Sequence, residues 1–216
     1  MTNQQPQTHA KISAVLFDYG GVLAEEGFHN GLIALAKEQN LNVEKMPKEA
    51  TTAVYDSGFV LGDGTAAEFW SLMRERTGLA GDDTLLTERI LAGFVIRPWM
   101  IALVEQCHKL GYVTGILSDQ TYWLDELNER DHFYHAFDYV FNSYTRGKGK
   151  QDPSLFNDVA TELGLPLSAI LFIDDDAGNV SRAREVGMQA IHYVDKESFI
   201  QEIKQLTGID TISNKV

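Results

Sequence analysis

The chain has 216 residues, 44% hydrophobic and 23% charged. That is enough to bury one α/β core with a modest insertion, and it lies outside the polar, highly charged range of disordered chains. A net charge of −13 repels nucleic acid and anionic membrane surfaces, so neither is an expected partner. The single cysteine, Cys107, excludes an internal disulfide and falls in an amphipathic helical pattern, as expected of a structural thiol.

Residues 1–10 (MTNQQPQTHA) are polar and lack an apolar run. They read as a flexible N-terminal tail that is neither a secretory signal nor a membrane anchor, and the expected location is cytoplasmic. Ile12 to Phe17 then predicts a buried strand. From about Ala24 to Phe94 no strand pattern follows. Leu32, Leu35 and Ala36 form one apolar helical face, and Phe69, Trp70, Leu72 and Met73 form another. A connection that long must carry structure of its own, so a small helical subdomain is expected there.

Beyond it, strands are predicted at Tyr112 to Leu117, Tyr139 to Phe141, Ile170 to Ile173 and Ala190 to Val194. Helices are predicted at Pro98 to Leu110, Gln120 to Arg130, Pro153 to Leu163 and Ala177 to Val186, with Gly111, Gly164 and Gly187 as stops. This alternation predicts a doubly wound, Rossmann-like parallel sheet. The expected division is a tail over 1–10, an α/β core over 11–23 and 95–216, and the helical insertion over 24–94.

Ligands of such a sheet bind beyond the carboxyl ends of its strands. Asp18 follows the first apolar run (FDYGGVL), Ser118 and Asp119 follow the second (ILSDQ), Lys150 lies in a later loop (RGKGKQDP), and Asp174, Asp175 and Asp176 follow the fourth strand. Taken singly, each aspartate or serine could be a helix cap, and Lys150 could be a solvated lysine like Lys148. Taken together, three consecutive carboxylates facing Asp18 would repel one another, and this calls for a cation. Magnesium suits an all-oxygen set that leaves room for waters or a phosphate. Ser118 and Lys150 would then serve the phosphate oxygens.

This order of aspartate, serine, lysine and acidic pair resembles the four motifs of the haloacid dehalogenase superfamily. FDYGGVL, the ILS strand end, and FIDDDAGNV followed by AREVGM carry the resemblance from about Lys11 to Lys196, and the helical insertion resembles that superfamily's small cap. Within it the chain is similar to a bacterial subgroup that includes a sugar 1-phosphate phosphatase. The resemblance implies a covalent nucleophile at Asp18, with magnesium on Asp18, the Gly20 carbonyl and Asp175. It also implies phosphoryl binding by Ser118, the Asp119 amide and Lys150, with Asp174 and Asn179 orienting those groups. The implied substrate is a small phosphomonoester, a sugar phosphate first among them. A response-regulator receiver domain, which places its acidic pair first and its lysine last, fits the order poorly.

One position departs from the family pattern. Most phosphatases of the superfamily carry a second aspartate two residues after the nucleophile, where this chain has Gly20, and losing a positioned acid/base forfeits about 10²–10⁴-fold in rate. A leaving group that needs little protonation would accommodate the glycine. So would a substitute group, with Glu25, Glu26 and His29 nearest in sequence, or conversion to a phosphate-binding module without turnover. Dehalogenation of 2-haloacids, which needs no metal, is the remaining alternative.

Of the other residues singled out, Trp70, Trp99 and Trp123 read as packing residues. Phe28 falls in the cap, His132 and His135 read as helix-end decoration, and Gly147 and Gly149 would let the backbone approach the site.

Overall fold

The computed structural model describes residues 11–210; the tail expected over 1–10 lies outside them. Five strands run through the described residues: β1 (Ala14–Phe17), β2 (Val113–Ser118), β3 (Tyr139–Asn142), β4 (Ile170–Asp174) and β5 (Gln189–His192). They form one parallel sheet in the order β3-β2-β1-β4-β5. The chain thus winds outward from β1 to one edge, returns beside β1 as β4, and winds to the other edge. The point where the order reverses lies between β1 and β4, and there the crevice of a doubly wound sheet opens.

Among the described residues ten α-helices accompany the sheet: α1 (Gly27–Glu38), α2 (Met46–Asp56), α3 (Ala66–Thr77), α4 (Asp83–Leu91), α5 (Pro98–Lys109), α6 (Trp123–Asp131), α7 (Ser143–Arg146), α8 (Ser154–Leu163), α9 (Ala177–Glu185) and α10 (Lys196–Thr207). The period-two alternation of β1 divides the core. Val15 and Phe17 join Ile116, Leu171 and Ile173 on the face covered by α5, α6 and α10. Ala14 and Leu16 join Phe172 on the face covered by α8 and α9, with Phe156, Val159 and Val180. Both faces are covered, which explains the nearly unbroken apolar runs of the central strands.

The predicted stops are real: Gly111, Gly164 and Gly187 take φ values of 83°, 65° and 98°, a region where glycine costs least. The strand expected to reach Val194 ends earlier, at His192, because the chain turns out to the N-cap of α10, where Asp195 accepts from Ser198 N at 2.9 Å. Helix α10 itself extends the expected pattern, with Phe199 and Ile203 packed into the sheet face.

Between β1 and α5 the chain is helical, with α1 packed on α2 and α4, and α2 on α3. The expected faces are inside: Leu32, Leu35, Ala36, Phe69, Trp70 and Met73 are buried, and Leu72 partly so. This insertion docks on the core through aromatics. Trp123 at the start of α6 meets Phe59 edge-on at 5.3 Å and lies 6.3 Å from Trp70. Ser143 Oγ donates to Val60 O at 2.7 Å across the same junction. Cys107 is buried in α5, where burial pushes its thiol up to about 12. No helix among the described residues is long and apolar enough to cross a membrane.

Candidate active site

Asp18 continues β1 by one residue, its amide donating to Ile173 O at 2.8 Å. The chain then bends sharply, Leu23 N and Ala24 N reaching back to the carbonyls of Asp18 and Tyr19. Gly21 makes the bend possible. Its φ is 76°, and a Cβ there would lie 2.1 Å from Asp175 Oδ2, so both its conformation and the space beside it demand glycine. Ser118, the last residue of β2, donates from Oγ to Asp18 Oδ1 at 2.5 Å, and Tyr19 N donates to the same oxygen at 2.7 Å.

Lys150 is 1% exposed, a burial an ammonium tolerates only when paired. Its Nζ lies 2.9 Å from Asp18 Oδ2 and 2.6 Å from Asp174 Oδ2. Burial works against its charge, but Asp174, Asp18 and Asp119 outweigh that and raise its pKa. Asp174 is fixed in turn: Oδ1 accepts from Asp176 N at 2.7 Å, and Asn179 Nδ2 reaches Oδ2 at 3.1 Å. Lys148, the alternative lysine, turns away to Ser154 and Asp158.

The sequence placed three consecutive carboxylates opposite Asp18; the structure brings two. Asp174 and Asp175 each offer an oxygen within 4.8 Å of one from Asp18. Asp176 is instead the N-cap of α9, its Oδ1 accepting from Asn179 N at 2.7 Å, because the helix begins one residue later and its first amides need an acceptor.

Asp119 follows a course that the sequence did not suggest. Its carboxylate accepts the Lys150 amide on both oxygens, at 2.9 and 3.0 Å, and the Tyr55 hydroxyl on Oδ2 at 2.5 Å. Tyr55 belongs to α2 in the insertion, so this contact joins insertion and core. Burial and the neighbouring Asp119 raise the Tyr55 pKa and keep it a donor. Gly149 fits the same knot, since a Cβ there would lie 2.7 Å from Tyr55 Oη.

These groups line a cavity of about 310 Å³. Asp18, Ser118, Lys150 and Asp175 form its core side, while Phe28, His29, Thr51 and Tyr55 come from the insertion. Arg182 also borders it, donating from Nε to Lys150 O at 2.9 Å and from Nη2 to Asn179 Oδ1 at 2.5 Å. Tyr55 and Arg182 lie on helical faces whose partners only the tertiary fold reveals, although the three-residue step from Asn179 to Arg182 was a readable hint.

The electrostatics favour a cation. Three carboxylates crowd together and the one ammonium pairs with only Asp18 and Asp174; at an effective dielectric of about 20 two like charges under 5 Å apart cost about 3 kcal/mol or more. Burial, and then the neighbouring carboxylates, push Asp174 and Asp175 up to about 6, and burial raises Asp18 against the pull of Lys150. The donors are oxygens, so the set fits a hard divalent ion such as magnesium.

An α/β fold of this order with carboxylates, a lysine and a serine at its switch point defines a class of hydrolase. Residues 12–187 match the family of haloacid dehalogenase-like hydrolases, and the chain belongs to that family. It is 24% identical over 200 residues to the sesquiterpene phosphatase astK of Aspergillus oryzae, covering 91% of this chain and 97% of that protein. A match to bifunctional epoxide hydrolase 2 of Rattus norvegicus, 27% identical over 131 residues, takes in 57% of this chain but spans only 23% of that protein. The fold is shared with the HAD family enzyme bt-2542 of Bacteroides thetaiotaomicron, solved in complex with magnesium and inorganic phosphate. The TM-score is 0.65 at 22% identity, covering 86% of this chain and 94% of that one.

Proposed function

We propose that the chain is a magnesium-dependent phosphatase that hydrolyses a small phosphomonoester, preferably a sugar phosphate, through an aspartyl-phosphate on Asp18. The observation that carries this reading is the meeting of Asp18, Ser118, Lys150 and Asp175 on one side of one cavity. In this reading a carboxylate oxygen of Asp18 attacks phosphorus while the bond to the leaving oxygen breaks, and water then hydrolyses the acyl phosphate and restores the carboxylate.

Each neighbour has a part. Lys150 offsets charge on Asp18 and on the transferring group, Asp174, itself oriented by Asn179, holds the Lys150 ammonium, and Asp119 fixes its main chain. Ser118 and the Asp119 amide donate to the phosphoryl oxygens. Magnesium, held by Asp18, Asp175 and the Gly20 carbonyl, would neutralise the phosphoryl oxygens when bound. Displacement of halide from a 2-haloacid needs no cation and leaves Asp175, which no lysine or arginine pairs with among the described residues, unexplained. His29, Thr51 and Gln120 offer polar partners beside the apolar Phe28, Val54 and Trp123, a mixture that suits a hydroxyl-bearing ring.

The test is phosphate release from p-nitrophenyl phosphate and from sugar, nucleotide, acyl and terpenyl phosphates, with Mg²⁺ or EDTA, for wild type and Asp18→Asn. Turnover that requires Mg²⁺ and vanishes in the variant is expected. Equal inactivity of both proteins on every phosphate would overturn the reading.

A further inference from the structure

Gly20 leaves no side chain beside the nucleophile to protonate a leaving oxygen, yet the space next to it is not vacant of acids. A Cβ on Gly20 would lie 3.8 Å from Glu26 Oε1, 3.8 Å from Gln120 Nε2 and 3.3 Å from Phe94 Cε1. The carboxylate missing at position 20 is thus approached by one from six residues further along the chain. Glu26 is fixed there by its other oxygen: Oε2 caps α1, accepting from His29 N at 2.8 Å and Asn30 N at 3.2 Å. These capping bonds use Oε2 alone, and Glu26 lines the cavity with Asp18.

The two neighbours named with it in sequence are engaged otherwise. Glu25 is held by Arg97 at 2.9 and 2.8 Å through both oxygens. His29 Nε2 pairs with Thr51 Oγ1 at 3.0 Å, on the insertion side of the cavity, while its Nδ1 lies 4.0 Å from Glu26 Oε2, the capping oxygen, and leaves Oε1 to the site.

We propose that Glu26 is the catalytic acid and base of this enzyme, standing in for the absent side chain at Gly20. The inference rests on the phosphatase reading. As Asp18 forms its bond to phosphorus, the breaking bond's electron pair goes to the leaving oxygen, which takes its proton from the Glu26 carboxyl. When water then attacks the aspartyl-phosphate, its proton passes to the Glu26 carboxylate, the electron pair of the breaking bond returns to Asp18, and inorganic phosphate leaves.

The two steps separate with p-nitrophenyl phosphate, whose phenolate leaves without a proton while the acyl phosphate still needs an activated water. In Glu26→Gln, kcat/KM for this substrate should stay within about tenfold of wild type. Its kcat should fall by about 10²–10⁴-fold, with a burst of p-nitrophenol and phosphorylated enzyme accumulating. Adding Gly20→Asp to E26Q should restore part of kcat. If E26Q does not fold, Glu26→Asp, which draws the carboxylate back by one methylene, should give a weaker version of the same split.

A merely structural cap would lower kcat and kcat/KM by the same factor, and that result, or no loss in either, overturns the inference while the phosphatase reading stands. Wild-type enzyme without Mg²⁺-dependent turnover would sink that reading and this inference with it.

Discussion

Lys150 Nζ donates to Asp174 Oδ2 at 2.6 Å, and through that bond a strand-end carboxylate that faces away from solvent decides where the site's ammonium stands. The same Nζ lies 2.9 Å from Asp18 Oδ2, so any change at Asp174 is expected to reach the nucleophile through the lysine.

Lys150→Ala removes the ammonium shared by Asp18 and Asp174. Steady-state kinetics should show kcat lower by about 10²–10³-fold. Breaking a buried pair leaves uncompensated charge, so thermal or denaturant unfolding of the metal-free variant should show a loss of about 3–5 kcal/mol. Unchanged kcat would remove Lys150 from the machinery.

Asp175 gives a pH prediction. Its pKa rises from 3.8 to about 6 on folding, through burial and then Asp174. The folded, metal-free protein therefore binds more protons at this residue than the unfolded chain between those values, and the residue's contribution to stability falls as pH rises through that window. Asp175→Asn removes this penalty, so its melting temperature in EDTA at neutral pH should exceed that of wild type, by an amount worth at most about 3 kcal/mol. Saturating Mg²⁺ should raise the wild-type melting temperature and leave the variant's unmoved. A variant that melts lower than wild type in EDTA would contradict the charge argument.

Much of this site was legible because strand ends are legible. Asp18, Ser118 and Asp174 each follow an apolar run, and the doubly wound pattern places all such ends on one edge. The Asp175 and Asp176 roles were harder to separate, since adjacent aspartates differ only in whether the helix start or the cavity claims them. Tyr55 was out of reach: it sits mid-helix in α2, and its value depends on how the insertion docks against Asp119. Glu26 looked like any glutamate at a helix start until the bend at Gly20 and Gly21 brought it alongside.

Tyr55→Phe tests that docking contact. A hydrogen bond to a carboxylate contributes about 1.5–3 kcal/mol, part of which Asp119 recovers from water. KM should rise by about tenfold while kcat changes less, because Lys150 N still holds Asp119. A fall in kcat with KM unchanged would place Tyr55 in the chemistry instead.

Gly21→Ala should fail through geometry. The added methyl would sit 2.1 Å from Asp175 Oδ2 at a φ of 76°. Calorimetric titration should show Mg²⁺ affinity lost or greatly weakened, with melting lowered as well. Gly164→Ala, at a positive φ with nothing within 4 Å of the added methyl, should lower melting while leaving Mg²⁺ affinity alone.

The most direct test of the whole account is to catch the covalent intermediate. Wild-type protein mixed with Mg²⁺ and p-nitrophenyl phosphate, quenched in acid during turnover, reduced with borohydride and digested, should yield a peptide in which Asp18 has become homoserine, absent without substrate and absent in Asp18→Asn. Turnover that proceeds at full rate with Asp18 never modified would contradict it.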